Sequence, residues 1–226
     1  MSQRVRQKQS DAALRKTLCE FLALYYEKGW FGGTGGGLCA ALDMGRVLMA
    51  PTGVHKERVR PADLFVIDPK SGAIIHAPKD VALCPSECSG IFSLIIQQRG
   101  AGSVVHTHAL SSVLAADLAG NADRVLFQDL EMLKGLAGCA NTDRHAVAVV
   151  RNTPREAELV ARIEALIALP PFAKSHCILV RDHGAYIWGG DLWEAKRHAE
   201  VYHFLFEATV ARRQYGRPLP LSGGEK

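Results

Sequence analysis

The segment Ser103-Val104-Val105-His106-Thr107-His108 decides what fold and chemistry we expect of this chain. Its apolar start is typical of a buried strand, and successive side chains of a strand point to opposite faces. His106 and His108 therefore share a face and can reach one metal ion, for which neutral imidazole is a suitable zinc ligand. A third ligand is predicted at His183, shortly after a second apolar run at residues 177–180. Ordinary core or surface histidines would also explain an H-x-H pair, so the prediction depends on the rest of the chain.

Composition limits the kind of protein this can be. The chain has 226 residues, 48% of them hydrophobic, which is enough for one packed domain or at most two small ones. Its 27 basic and 23 acidic residues give a formal charge of +4 without a dense basic stripe. Nucleic-acid binding is therefore disfavoured, and an anionic small-molecule substrate fits. The six cysteines are scattered along the chain, so we expect reduced thiols.

No apolar stretch is long enough to cross a bilayer, and the N-terminus has no apolar signal core. We therefore expect a cytoplasmic protein with no membrane partner. We also expect one domain over residues 1–226, with flexible tails at 1–10 and 217–226.

Apolar residues at helical spacing predict helices, and short apolar runs between turn residues predict strands. The predicted helices cover residues 11–28, 85–100, 111–118, 130–136, 154–169 and 191–215. The predicted strands cover residues 38–42, 47–50, 64–68, 103–108, 146–150 and 177–180. Strands come in runs before they alternate with helices, which favours a mixed or antiparallel sheet covered by helices.

The glycine-rich segment 32–37 leads into a predicted hairpin instead of a helix, so it matches neither nucleotide-binding loop motif. Its backbone can adopt positive φ angles and present several N–H groups to an anion. Thr52, Gly53 and Ser86 could supply further donors to the same phosphate. A plain flexible turn explains the glycines equally well.

Four other side chains each have two interpretations. Cys88 lies in the predicted first turn of a helix, where the dipole favours a thiolate, although free cysteine is more often a small buried hydrophobe. Glu131 is either a general acid–base group or part of a solvated helix face. His198 and His203 stand five residues apart on the last predicted helix, hence on different faces, and are interpreted as structural or interfacial.

Several segments together resemble the class II aldolase/adducin family. They are GTGGG at 33–37, APTGVHKE at 50–57, RGAGSVVHTH at 99–108 and RDHGAYIWG at 181–189. Within the family the chain resembles the sugar-phosphate dehydratases, through Gly29-Trp30, Lys56-Glu57-Arg58, QDLEMLKG at 128–135 and Asn152-Thr153-Pro154. The resemblance spans nearly the whole chain, and the ordered set is far more specific than any one segment.

This resemblance implies a three-layer α/β/α domain with a largely antiparallel central sheet, assembled as a homotetramer with active sites between subunits. By position, His106, His108 and His183 match the zinc ligands, with one ion per subunit. Glu131 matches the acid–base residue of the dehydratases, and Cys88 matches a substrate-site cysteine. The positions that match the sugar-phosphate site are Thr34, Gly35, Gly36, Thr52, Gly53 and Ser86.

Two departures from the family pattern concern this site. Cys39 stands where relatives commonly carry serine, and the segment 84–87 aligns securely only at Ser86. The implied activity is zinc-dependent dehydration of a ketose phosphate. One alternative is an aldolase or 4-epimerase acting on another ketose phosphate, and Glu131 with its flanking segment decides between them. The other is a non-enzymatic, adducin-like scaffold, against which three histidines in register argue.

Overall fold

The computed structural model describes residues 10–43 and 45–217, apart from the side chains of residues 156 and 157. Most of the two predicted flexible tails, residues 1–9 and 218–226, lies outside the described residues. The α-helices are α1 (Asp11–Glu27), α2 (Ser89–Arg99), α3 (Leu110–Asp117), α4 (Glu156–Ile167) and α5 (Leu192–Gln214). The strands are β1 (Gly37–Asp43), β2 (Arg46–Met49), β3 (Phe65–Ile67), β4 (Ile74–His76), β5 (Ser103–Thr107), β6 (Arg124–Phe127), β7 (His145–Val150), β8 (Cys177–Val180) and β9 (Gly184–Gly189).

The nine strands form one sheet in the order β4-β3-β2-β1-β5-β9-β8-β7-β6. The β7–β8 pair is parallel, and the other described neighbours are antiparallel. The predicted mixed, largely antiparallel sheet is therefore confirmed.

Helices cover both faces of the sheet. One core cluster joins the sheet to α1, α3 and α5, and the other joins it to α2 and α4. Alternation along β5 divides its side chains between the two, with Val105 in the first cluster and Val104 in the second. His106 follows Val104 at a spacing of two and so lies on the α2/α4 face. The three-layer α/β/α architecture is confirmed.

Strand directions decide which loops meet. Both β5 and β8 run antiparallel to β9, so they are parallel to each other and end at the same edge of the sheet. We call this the histidine edge, because His108 follows β5 there and His183 follows β8. β7 is parallel to β8 and also ends there, which brings the segment after Val150 to the same place. In contrast, Phe127 at the end of β6 pairs with His145 at the start of β7, so β6 ends at the opposite edge.

Some elements differ from the sequence-based predictions. Strands β4, β6 and β9 were not predicted as strands, and the predicted helix at 130–136 is a 3₁₀ helix, Glu131–Gly135. Helix α2 begins at Ser89, four residues later than predicted, because the backbone first turns at Ser86, whose carbonyl accepts the Ser89 N–H at 3.1 Å. Among the described helices, none has the length and apolar character needed to span a membrane.

Candidate metal centre

Three histidines converge at the histidine edge. The Nε2 atoms of His106 and His108 lie 2.9 Å apart, and each lies 3.1 Å from Nε2 of His183. His106 is buried, His183 is half-buried and His108 is exposed, so the group is open on one side. The structure thus brings together the three residues predicted as metal ligands.

Hydrogen bonds fix which ring nitrogens carry protons. His106 Nδ1 lies 3.1 Å from the carbonyl oxygen of Ala185, so it must donate there. His183 Nδ1 lies 3.1 Å from Oδ1 of Asn152, which also accepts the Thr153 N–H at 2.9 Å and is therefore an oxygen that accepts. In the neutral rings, Nε2 of both histidines then carries a lone pair.

Two facing lone pairs 3.1 Å apart repel each other, because no tautomer leaves a proton between them. A cation at the centre of the three nitrogens removes this conflict. Zinc–nitrogen bonds of about 2.0–2.1 Å at tetrahedral angles place ligand nitrogens roughly 3.3 Å apart, close to the separations here. The arrangement therefore fits a metal ion with one open coordination position.

The protonation state of the histidines suits a metal site. Burial, followed by the charges of His108 and His183, lowers the pKa of His106 well below its ordinary value. Burial and then His183 lower the pKa of His108 to about 4. Both rings are neutral near pH 7, so they can bind a metal without first losing a proton.

Close packing holds these rings in position. The Tyr186 ring stacks on the His106 ring, with centroids 4.0 Å apart and planes 4° from parallel. A Cβ atom on Gly184 would lie 1.9 Å from the Thr107 carbonyl oxygen, and one on Gly35 would lie 2.5 Å from His108 Nδ1. Glycine at these two positions lets β9 and the glycine loop approach the histidines.

The predicted phosphate-binding loops lie together. Lys56, 1% exposed, donates from Nζ to the carbonyl oxygens of Thr34 at 2.8 Å and Val54 at 3.1 Å. It thereby joins the glycine loop to the segment that contains Thr52 and Gly53. Burial lowers the pKa of this ammonium. The result is a buried positive charge beside two loops rich in backbone N–H groups.

The segment that contains Cys84 and Ser86 lies against the glycine loop and the segment that contains Thr52. The Thr52 N–H donates to the Cys84 carbonyl at 3.0 Å, and a Cβ atom on Gly37 would lie 3.8 Å from Ser86 Oγ. Ser86 Oγ accepts the Cys88 N–H at 3.2 Å, which leaves its hydroxyl proton to donate. Gly36 and Gly53 have φ angles of 76° and 66°, as expected for glycine-dependent turns. Phosphate binding at these loops stays a prediction.

Cys88 lies at a different position in its helix from the one predicted. It is the residue before α2, with φ −70° and ψ 0°, and its side chain is 6% exposed. Cys88 packs in the α2/α4 core cluster. Its environment therefore matches the buried hydrophobic interpretation, close to the buried ammonium of Lys56.

Glu131 lies away from its own chain's histidines. Its side chain is 71% exposed, with Oε1 2.6 Å from Lys134 Nζ and Oε2 2.9 Å from Asn141 Nδ2. It follows β6, which ends at the edge opposite the histidine edge, and Asn141 precedes β7 at that same edge. The edges are separated by the length of β7, about 17 Å at 3.3 Å per residue. A catalytic role for Glu131 stays a prediction, and within one chain it does not join the metal centre.

Several residues at the histidine edge had no predicted role. A cavity of about 730 Å³ is lined by Glu87, His108, Asn152, Thr153, Pro154, Arg155, Asp182 and His183. Asn152-Thr153-Pro154 was recognised as a motif, but its place beside His183 follows from the parallel β7–β8 pair, which the sequence did not predict. Lys56 was recognised in the same way, without its burial.

Comparisons against known proteins agree with the fold. The family model for the class II aldolase and adducin N-terminal domain matches residues 16–210, so the chain belongs to this family. Its curated relatives include the methylthioribulose-1-phosphate dehydratase of Gallus gallus, 37% identical over 211 residues, which cover 89% of this chain and 84% of that protein. The same-named protein of Aquarana catesbeiana is 38% identical over 222 residues, covering 92% and 90%.

One group of relatives is longer. A Physcomitrium patens protein named probable bifunctional methylthioribulose-1-phosphate dehydratase/enolase-phosphatase E1 is 37% identical over 204 residues. These cover 85% of this chain and 40% of that protein, so the match leaves most of the bifunctional protein uncovered.

Solved structures share the fold at low sequence identity. YgbL of Klebsiella pneumoniae, described as a putative aldolase/epimerase/decarboxylase, superimposes with a TM-score of 0.78 at 18% identity, covering 95% of this chain and 96% of that one. An L-fuculose 1-phosphate aldolase gives a TM-score of 0.75 at 18% identity, covering 95% and 93%. At this identity the likeness concerns the fold alone.

Proposed function

We propose that this chain catalyses the zinc-dependent dehydration of 5-methylthioribulose 1-phosphate to 2,3-diketo-5-methylthiopentyl 1-phosphate, a step of methionine salvage in the cytoplasm. The observation that carries the proposal is the three-histidine centre beside a glycine- and hydroxyl-rich loop cluster. It occurs in a chain 37% identical to a methylthioribulose-1-phosphate dehydratase across most of both proteins. We further propose a homotetramer with one zinc ion per subunit.

The reaction assigns a task to each part of the site. The substrate loses the proton on C3 and the hydroxyl on C4, and the resulting enol tautomerises to the diketone. When bound by His106, His108 and His183, zinc supplies Lewis-acid chemistry. The N–H groups of the glycine loop, with Thr34, Thr52, Gly53 and Ser86, hold the C1 phosphate. They fix the reacting carbons against the histidines and so use remote binding energy for orientation.

Glu131 is our proposed acid–base group, acting in the centre of a neighbouring subunit. Its exposure and its position at the edge opposite its own histidines support a role in the active site of another copy of the chain. Glu131→Gln should retain metal while kcat falls by about 10²–10⁴-fold, the usual contribution of a positioned acid–base group.

Mixed assemblies test whether Glu131 acts across subunits. His106→Ala and Glu131→Gln chains, each inactive alone, are co-expressed with different tags and purified as hybrids. Recovered activity means that one chain supplies the histidines and the other supplies Glu131. No recovery, with each variant inactive alone, would show that both groups must come from the same chain.

One observation favours a second candidate, an aldolase or 4-epimerase acting on another ketose phosphate. The carboxylates that line the cavity with His108 and His183 in the same chain are Glu87 and Asp182, not Glu131. If proton transfer belongs to Glu87, Glu87→Gln should abolish turnover while Glu131→Gln retains it.

A substrate comparison tests the activity itself. Purified, zinc-loaded protein is assayed with methylthioribulose 1-phosphate, fuculose 1-phosphate and ribulose phosphates. We expect diketone formation from the first substrate only. Cleavage or epimerisation of the others, without dehydration of the first, would replace the dehydratase proposal with the second candidate.

A further inference from the structure

Helix α5 holds the segment that carries Glu131 at several points. Arg212 donates to the carbonyl oxygens of Gln128 at 3.4 Å and Asp129 at 3.3 Å. A Cβ atom on Gly135 would lie 2.5 Å from Cγ2 of Val201, so the 3₁₀ helix rests directly on α5. The segment is thus fixed before and after Glu131.

One further attachment of the segment uses a buried histidine. His198, fully buried, has its Nδ1 2.7 Å from the Trp188 carbonyl oxygen, so Nδ1 carries the proton. Its Nε2 accepts the Ala137 N–H at 3.3 Å. Both ring nitrogens are therefore satisfied in the neutral tautomer. A protonated ring would place a second N–H against the Ala137 N–H, donor against donor.

A second histidine contacts the carbonyl group of the same residue, Ala137. His176 Nε2 lies 3.4 Å from the Ala137 carbonyl oxygen, and the rings of His176 and His198 lie 4.3 Å apart. Two residues later, Cys139 Sγ lies 3.5 Å from His145 Nδ1, and His145 Nε2 lies 2.9 Å from the Tyr202 hydroxyl. We refer to His145, His176 and His198 as the histidine clamp.

The clamp lies outside the metal centre. It packs at the start of β7 and β8, at the opposite edge from His106, His108 and His183. The charged groups around it are Glu194 and Arg197 beside His198, Arg99 beside His176, and Asp143 and Lys174 beside His145. Burial is the largest cause of the low pKa values of His198 and His145, both about 4, and keeps the clamp neutral near pH 7.

We propose that His198, supported by His176, is a positioning residue that fixes the Glu131 segment for use by a neighbouring subunit. The proposal rests on the catalytic role proposed above for Glu131. In this proposal a buried histidine, remote from the predicted metal centre, affects proton transfer. It does not affect metal or phosphate binding. The connection runs from His198 to Ala137, then through Leu136 to the end of the 3₁₀ helix at Gly135 and along that helix to Glu131.

Paired substitutions distinguish a positioning role of His198 from a general contribution to the stability of the fold. His198→Leu removes the acceptor for the Ala137 N–H, whereas His198→Gln can offer its amide oxygen in a similar place. Arg197→Gln is the matched control, because Arg197 is exposed and bonds Glu194 on the same helix. We measure hydrogen–deuterium exchange over residues 131–143, zinc content, kcat and KM.

We expect His198→Leu to speed exchange at Ala137 by at least about tenfold. Its kcat should fall by about tenfold or more while KM and zinc content stay near the wild-type values. His198→Gln should restore most of both losses, and Arg197→Gln should change neither. If His198→Leu does not fold, Gly135→Ala lifts the same segment from Val201 and should give the same pattern.

Wild-type kcat in His198→Leu, in a protein where Glu131→Gln lowers kcat, would overturn the proposal. So would an equal loss of zinc and kcat, because that pattern indicates general destabilisation. If Glu131→Gln itself leaves kcat unchanged, the proposed role of Glu131 fails, and the exchange data alone decide whether the clamp fixes the segment.

Discussion

The proton positions on the imidazoles of His106 and His183 decide the chemistry at the histidine edge. The Ala185 carbonyl and Asn152 Oδ1 each accept a hydrogen bond from the Nδ1 of one ring and so direct the Nε2 lone pairs inward. We predict that His106→Ala, His108→Ala and His183→Ala each reduce metal content and activity together, because each removes one of three ligands. Elemental analysis of the purified variants measures this, with exposed His55→Ala as the control. Full zinc occupancy in all three variants would remove the metal assignment.

Asn152 is not one of the three predicted metal ligands, but its side chain hydrogen-bonds to His183, which is one, and orients that ring. Groups that hydrogen-bond a ligating histidine typically contribute about 10–100-fold to metal affinity. We therefore predict that Asn152→Ala weakens zinc binding by about this factor, measured by competition with a chelator. Asn141→Ala, which alters an asparagine at the opposite edge, should bind zinc normally. Equal affinities for the two variants would mean that His183 keeps its orientation without Asn152.

At the scale of elements, regular patterns were predictable and pairing partners were not. Helix α1 begins and ends within one residue of its prediction, because Ser10 caps it and the apolar spacing is strict. Strand β9 was missed because Gly184 and Gly189 frame an uninterrupted buried run that single-sequence patterns do not distinguish from a loop motif. The parallel β7–β8 pair, which brings Asn152 to His183, depends on contacts between distant residues.

The same distinction applies to the candidate site: features that depend on local sequence were predictable, and features that depend on contacts between distant residues were not. The H-x-H pair follows from strand alternation, which is local, so His106 and His108 could be placed from the sequence. The position of Glu131 could not, because it depends on the direction of β6 relative to β7. The burial of Lys56 was equally inaccessible, since two carbonyls from separate loops create its environment.

The loop cluster allows a prediction about phosphate recognition. Thr34→Val and Thr52→Val each remove one hydroxyl, and we expect binding to weaken by roughly 1.5–3 kcal/mol, the value of a hydrogen bond to a charged group. The KM for methylthioribulose 1-phosphate should rise accordingly, while Ser71→Ala, which removes an exposed hydroxyl from the β3–β4 turn, serves as the control. The dephosphorylated sugar should be a very poor substrate of the wild type, since it loses all these contacts together. Comparable kcat/KM values for both sugars would favour the interpretation of the glycine loop as a plain turn.

At the scale of the whole molecule, the two edges of the sheet carry different chemistry. The histidine edge holds the predicted metal ligands and the predicted phosphate loops, while the opposite edge presents Glu131 on a segment held by α5. One chain therefore carries the proposed metal and phosphate sites at one edge of its sheet and the proposed acid–base group at the other. Joining them requires one copy to bring its opposite edge to the histidine edge of the next, which is consistent with a closed ring of subunits.

Buried neutral histidines also make the fold sensitive to acid. Burial lowers the pKa of His145 and His198 to about 4 and that of His203 to about 3, all below the ordinary value of 6.5. Between about pH 6.5 and 4 the unfolded chain therefore binds more protons than the native one, so stability rises with pH and is lost on acidification. The shifts correspond to about 3 kcal/mol each for His145 and His198 and about 5 kcal/mol for His203, a large part of a typical domain's 5–15 kcal/mol.

We predict that the urea midpoint of the metal-free protein falls steeply from pH 6.5 to pH 4.5 and changes little between pH 7 and pH 8. Metal-free protein is used because zinc release on acidification would add to the effect. Replacing exposed His55 with Gln should leave the slope unchanged, whereas His145→Gln should flatten it because one proton-linked group is gone. A midpoint that stays constant from pH 6.5 to 4.5 would show that these rings accept protons in the native state without cost, which would contradict the effect of their burial.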